Sequence, residues 1–179
     1  MKKAIFFLLV FVNIVYGFNY DDVSLKAQAS IFPKILLLDK KLDEKLVDGK
    51  IVYTIVYDKN DYNTAVKISE LIKSKHMKHL DKYAYKINIV EFSDLSSDTQ
   101  ATAIYALNSD DKIQKVAKIA NEKGIATFSY DIKNLRHGLL FSLMIEKSIT
   151  LYLNRANLLK SKVDFVDSLL QMVKFIDTK

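Results

Sequence analysis

The stretch Ile51–Tyr57, Ile-Val-Tyr-Thr-Ile-Val-Tyr, constrains this chain more than any other. β-Branched and aromatic side chains run through it almost without a break. A strand with one wet face alternates apolar and polar residues, and this one does not. It therefore reads as a central strand covered on both faces. Such a strand needs helices above and below it. The remaining sequence can supply them. One proline, Pro33, and four glycines leave little to interrupt regular structure in 179 residues, and half of the residues are hydrophobic.

The periodicities place elements on either side of that strand. Residues 23–38 read as a helix that Pro33 either kinks or ends in its first part. Asp61 is placed to cap a second helix, in which Ala65, Ile68, Leu71 and Ile72 recur at helical spacing. A basic segment, 74–86, leads to a strand at 87–92, and a small-residue strand follows at 101–107. Ser109 opens a helix with Ile113, Val116, Ala117 and Ala120 on its apolar face, and Gly124 closes it. A strand at 125–130 completes an alternating order. Residues 139–145 and 148–153 flank Glu146-Lys147 and read as a hairpin. A last helix is expected at 160–176, striped by Val163, Val166, Leu169, Leu170, Val173 and Ile176. The sum is an α/β three-layer sandwich. Its sheet is mostly parallel, with an antiparallel C-terminal edge hairpin and a closing C-terminal helix.

The first 17 residues read differently. Lys2 and Lys3 precede an apolar run at 4–15, and Val15-Tyr16-Gly17 offers a cleavage site before Phe18. This is the pattern of a secretory signal peptide. The run falls short of the roughly 20 residues that a membrane span requires. Residues 18–179 then form a single domain that works in the periplasm, with no span after leader removal. The chain has no cysteine, so this domain is held by its core without disulfides. The net charge of +6 comes almost entirely from lysines spread among acids; the two arginines are Arg136 and Arg155. Recognition of phosphates and bases favours the planar guanidinium, so this composition argues against nucleic acid as a partner.

Motifs for chemistry are scarce. No Gly-x-Gly-x-x-Gly, Gly-Lys-Ser/Thr or Gly-x-Ser-x-Gly occurs, and no cofactor is expected. His76 and His79 are three apart, which on one helix puts them on one face; with Asp81 they are weak candidates for a metal. Asp58, Asp94 and Asp131 each follow an expected strand, at the sheet edge where α/β proteins bind ligands. They serve equally well as turn-forming residues. Tyr53, Tyr57, Tyr105 and Tyr130 fall in strands, as core filling or as a pocket lining.

Three further features belong together. Lys26-Ala27 opens an amphipathic helix that reaches the aromatic-proline pair Phe32-Pro33. The middle of the chain has the strand and helix order given above. The tail runs from Gly138 through an apolar strand to Ile149-Thr-Leu-Tyr-Leu-Asn154, then Arg155-Ala156-Asn157 and a Leu/Val-rich end. In these respects the chain resembles the YfiR-like family of periplasmic regulatory proteins. It departs from the family in lacking Trp and in having a single glycine before the hairpin. The resemblance implies a non-enzymatic regulator that binds the sensor domain of an inner-membrane signalling protein, such as a diguanylate cyclase. Release of the regulator then raises cyclic di-GMP. The implied contact residues are Lys26, Phe32, Asn154 and Arg155, although Phe32 equally suits the core and Asn154 a helix cap. A homodimer through the hairpin edge is a further expectation.

Two other classes compete with this expectation. A single-lobe periplasmic small-molecule-binding protein, related to transporter solute-binding proteins, has the same export signal and fold class. A metal-dependent enzyme rests on the histidine pair and the strand-end acids.

Overall fold

The computed structural model describes residues 18–109 and 111–177; the expected leader lies outside them. The chain runs through α1 (Asp22–Leu36), β1 (Ile51–Tyr57), α2 (Tyr62–His76), β2 (His79–Leu80), β3 (Tyr83–Glu91) and β4 (Ala103–Ala106). It continues through α3 (Ile113–Lys123), β5 (Ala126–Ser129), a 3-10 helix at Ile132–His137, β6 (Phe141–Ile145) and β7 (Ile149–Asn154). It ends with α4 (Arg155–Lys160), α5 (Asp167–Met172) and β8 (Lys174–Ile176). One eight-stranded sheet has the order β2-β3-β1-β4-β5-β6-β7-β8. β3, β1, β4, β5 and β6 are parallel to one another. β7 runs antiparallel to β6, and β2 antiparallel to β3.

The architecture is the expected α/β sandwich, with β1 central and every one of its seven residues buried. Alternation along the strands sorts side chains to two faces. Ile51, Tyr53, Ile55 and Tyr57 pack with Leu25, Phe32 and Leu36 of α1 and Ala65, Ile68 and Ile72 of α2. On the opposite face Val56, Ile104 and Ala106 pack with Val116, Ala117 and Ala120 of α3.

Three local expectations change. Pro33 neither ends nor divides α1, which continues to Leu36. Proline deprives the carbonyl four residues earlier of its helical donor. That carbonyl, Ala29 O, accepts instead from His76 Nε2 at 3.0 Å, so α2 completes the bonding of α1. The strand expected at residue 87 begins at Tyr83, because β1 offers a parallel partner from Ile51 opposite Tyr85 onward. The helix expected from Ser109 begins at Ile113, and Ser109 is instead buried beside Asp111.

The tail differs most. The closing helix is present but short, as α5, and residues expected to extend it are extended chain or strand. Asn154 caps α4 by accepting from Asn157 N at 2.9 Å. α4 stops at Lys160, and Val163 and Phe165 enter the core from non-helical backbone. Phe165 meets Phe141 edge-on at 5.0 Å. After α5 the chain adds β8 alongside β7, outside the hairpin. An apolar stripe at helical spacing also arises where a turn, a bridge and a strand each deliver one side chain. That ambiguity misled the periodicity here.

Candidate functional site

In a parallel α/β sheet the loops at the carboxyl ends of the strands form the ligand-binding edge. Here that edge collects Asp58 after β1, Glu91 at the end of β3, Asn108 after β4, and Tyr130 and Asp131 after β5. Over them lies the segment that enters α1. Tyr20 OH donates to Asp61 Oδ2 at 2.7 Å and accepts from Asn108 N at 3.1 Å. Its ring meets Tyr130 edge-on with centroids 4.7 Å apart. Tyr130 OH accepts from Asp21 N at 2.7 Å, and Asp21 caps α1 by accepting from Ser24 N at 2.8 Å.

A buried glutamine links this edge to the core. Gln28 occupies the apolar side of α1 with Leu25, Ala29 and Phe32, where nonpolar side chains are the rule. Its Nε2 donates to Tyr130 O at 3.0 Å, and its Oε1 accepts from Tyr105 OH at 2.6 Å. Sequence reasoning missed Tyr20 and Gln28. A polar residue on a predicted apolar helix face was the available signal for Gln28.

The electrostatics separate two aspartates. Burial raises the Asp61 carboxyl above the ordinary aspartate range; the Tyr20 hydrogen bond opposes this and the nearby Asp58 charge adds to it. Asp21 is lowered by the Ser24 backbone and side-chain hydrogen bonds. Tyr20 and Tyr130 are both raised, chiefly by burial, so their hydroxyls stay neutral at physiological pH.

Beside this closed cluster the edge is more open. Tyr57 and Tyr62 lie with ring centroids 5.6 Å apart; Tyr62 is 52% exposed. Burial, then the charge of Glu91, raises the Tyr57 phenol, with Tyr62 and Asp94 adding to the shift. Lys112 forms an ion pair with Asp58. Its ammonium is raised first by that hydrogen bond, and Asp111 and Glu91 add to the effect. The edge thus offers aromatic surface, carboxylates and the Lys112 ammonium.

The other expected sites fare variously. His76 ends α2 and is bonded to Ala29 O, whereas His79 begins β2, so the two do not share a helix face. Met77 between them takes φ +48°, which breaks the helix there. Asp131 accepts from Lys133 N at 2.8 Å and caps the 3-10 helix. No group of three or more His, Asp or Glu side chains among the described residues could hold a metal ion. Phe32 is fully buried, stacked on Phe128 at 4.9 Å, and presents nothing to a partner. Asn154 is also buried; besides its cap, its Nδ2 donates to Leu135 O at 2.6 Å. Lys26 and Arg155 are exposed. Arg155 lies over the Phe175 ring at 4.4 Å.

A wider polar hollow of about 480 Å³ opens at the opposite edge, lined in part by Lys45, Thr99 and Lys123. Its lysines are already engaged. Lys45 pairs with the buried Asp39 at 2.5 Å, and Lys123 donates to Thr99 O at 2.9 Å. No helix among the described residues is long and apolar enough to cross a membrane.

No protein-family profile matches this chain, and no curated protein matches it. Solved structures do. A conserved domain protein from Vibrio cholerae O1 biovar El Tor strain N16961 superposes with a TM-score of 0.60 at 17% identity over 87% of this chain. An ABC domain in complex with L-Trp from Streptococcus pneumonia superposes with a TM-score of 0.50 at 11% identity over 79% of this chain. At these identities the likeness is one of α/β fold. This chain spans 60% of the length of each of them.

Proposed function

We propose that this chain is a non-catalytic, single-lobe domain that binds a small zwitterion at the carboxyl edge of its sheet. The observation that carries the reading is the exposed Tyr62 ring, packed against the buried Tyr57, beside the Asp58–Lys112 ion pair. Ligand sites combine apolar or aromatic surface with a few convergent polar groups. Here the exposed Tyr62 face suits a flat side chain, and opening of the Asp58–Lys112 pair would turn Asp58 and Glu91 to an ammonium and Lys112 to a carboxylate. The likeness in fold to a domain in complex with L-Trp supports the same ligand class. The test is calorimetric titration of the purified protein with L-tryptophan. Saturable binding is expected, weakened about tenfold or more by Tyr62→Ala and by Lys112→Ala. Absence of binding into the millimolar range, or binding indifferent to both changes, overturns the reading.

A second reading concerns what such a domain controls. We propose that the chain is a distant YfiR-like protein of the periplasm, exported by its leader. In this reading it binds the sensor domain of an inner-membrane signalling protein, such as a diguanylate cyclase, and thereby governs cyclic di-GMP. The structural roles of the tail residues support it. Gly138 takes φ +98° where a Cβ would meet Ala117 Cβ at 2.9 Å, and Asn154 caps α4, so the pattern behind the resemblance encodes a specific turn and cap. Of the four implied contact residues, Lys26 and Arg155 are the ones at the surface. Crosslinking in cells should capture a membrane protein with a periplasmic sensor domain, and Arg155→Glu should weaken that capture without unfolding the domain. Capture unchanged by Arg155→Glu removes that residue from the interface, and capture of no such protein removes the reading.

A further inference from the structure

Remote from the strand-end cluster, α1, the hairpin and α5 enclose an apolar groove of about 310 Å³. Its floor is formed by Ile35, Leu143 and Leu169, each almost fully buried. Ile149 and Met172 rise at its rim and are 56% and 70% exposed, among the most exposed large apolar side chains described. One polar residue lines it, Lys34. The Lys34 ammonium is exposed and has no hydrogen-bond or ion-pair partner among the described residues. Apolar surface left open to water in a concavity is costly, and such concavities commonly mark binding sites.

We infer that this groove is a second ligand site, one that takes a single-chain fatty carboxylate. The acyl chain lies along the floor of α1, β6 and α5 side chains, and its carboxylate meets Lys34. Three observations select this occupant. The volume matches the lower end of small-molecule sites, which run from about 300 Å³. The lone unpaired charge is positive, so it complements an anionic head group. The apolar surface is a slot whose floor is recessed, which suits an inserted chain better than the flat face of a bilayer. None of its lining residues belongs to the strand-end edge, so the inference is independent of the function proposed above.

The experiment is titration of the purified protein with sodium dodecanoate below its micellar concentration, followed by calorimetry. Saturable binding with one site per chain is expected. Lys34→Glu should weaken it about tenfold or more, and Ile149→Asp should abolish it. Both positions are exposed, and circular dichroism verifies that each variant is folded. Dodecyltrimethylammonium, with the same chain and the opposite charge, should bind more weakly to the native protein and more tightly to Lys34→Glu. Lys112→Ala should leave dodecanoate binding unchanged, and Lys34→Glu should leave L-tryptophan binding unchanged, so failure at one site is distinguishable from failure at the other. Absence of saturable binding, or equal affinity in Lys34→Glu, overturns the inference. Binding to phosphatidylglycerol vesicles without binding of dodecanoate overturns it in favour of a membrane-facing patch. A dimer that Ile149→Asp dissociates, again without dodecanoate binding, overturns it in favour of contact between copies.

Discussion

The two faces of the sheet are built on different principles. The face under α1 and α2 is filled by rings. Tyr53, Phe128, Phe32 and Phe141 stack at centroid distances of 4.9 to 6.1 Å, and Phe165 closes the row edge-on at 5.0 Å. The face under α3 carries Thr54, Thr127, Ser129 and Ser142 at alternating strand positions, all buried. There Thr127 Oγ1 accepts from Leu140 N at 2.8 Å, and Asn134 Nδ2 donates to Ser129 Oγ at 3.0 Å. One face is filled by rings, whereas the other combines an aliphatic core with side-chain hydrogen bonds to loops, and Thr54 Oγ1 and Ser142 Oγ have no partner among the described residues. The difference follows from connectivity. α1 and α2 cover the first face, whereas α3 shares the second with the 3-10 helix that carries β5 to β6, whose backbone needs side-chain partners to stay in place.

The sharpest test of this contrast removes a ring. Phe128 contacts Phe32, Tyr53 and Phe141 within the stack and is fully buried. Phe128→Ala should cost about 3–5 kcal/mol, because neighbouring rings cannot collapse into the space. Denaturant unfolding measures it; a loss below about 1.5 kcal/mol would mean that the aromatic face repacks like a liquid. The matching change on the polar face is Asn154→Ala. It removes the α4 cap and leaves Leu135 O without the donor that Asn154 Nδ2 supplies. Leu135 O keeps the hydrogen bond from Gly138 N at 3.1 Å, so loss of the cap and of one of two bonds to that carbonyl predicts about 1–2 kcal/mol. Asn154→Asp sharpens the comparison, since it keeps the cap acceptor and deletes only the donor. It should recover part of the loss at a pH where the carboxyl is neutral.

These two faces were unequally legible. The aromatic face followed from the nearly continuous apolar run Ile51–Tyr57 and from the apolar side of α1, where sequence and structure agree closely. Pro33 was visible as a defect in that helix, but its remedy was not. His76 lies 47 positions from Ala29, and no local pattern announces that distant donor. The polar face was harder still. Thr and Ser in strands are unremarkable, and their partners come from loops whose path depends on the whole fold. Asp58 and Asp131 were placed correctly at the ligand-binding edge, since strand ends are readable. Tyr20, which anchors that edge, precedes the first helix and has no periodic context. The hairpin and a closing helix were legible in the tail, but not the extent of that helix, because the apolar spacing fits one long helix as well as it fits α4, a bridge, α5 and β8 in turn.

The contrast between burial and hydrogen bonding reappears in single groups at the edge. Asp61 is raised by burial, so the folded state keeps its proton to higher pH than the unfolded chain does. Its contribution to stability therefore falls as pH rises from the ordinary aspartate value through the raised one, and is regained as pH falls. Asp21 has the opposite sign. Its lowered value gives stability that is present above the ordinary aspartate range and is lost as pH falls through the folded value. Carboxyl-carbon NMR titration should place Asp61 above Asp21. Asp61→Asn should flatten the stability profile on the alkaline side of the ordinary aspartate value. If Asp61 titrates at or below Asp21, the Tyr20 hydrogen bond outweighs burial.

The smallest expected effects come from two adjacent residues on opposite faces. Tyr53 OH and Thr54 Oγ1 are both buried without a hydrogen-bond partner among the described residues. A buried hydroxyl that gains no bond on folding still forfeits its bonds to water. Tyr53→Phe and Thr54→Val each delete the hydroxyl while nearly keeping the shape, and valine suits the central strand as well as threonine does. Each should therefore raise stability, by about 1 kcal/mol or less. Ring-filled surroundings leave no room for an alternative partner at Tyr53, so its gain should be the firmer of the two. Thr54 lies on the face where side-chain oxygens elsewhere accept from loops. If Thr54→Val lowers stability while Tyr53→Phe raises it, an ordered water completes the bonding at Thr54. Ser142 Oγ is then the remaining hydroxyl of that face without a partner among the described residues, and the contrast between the faces is greater than the protein groups alone make it.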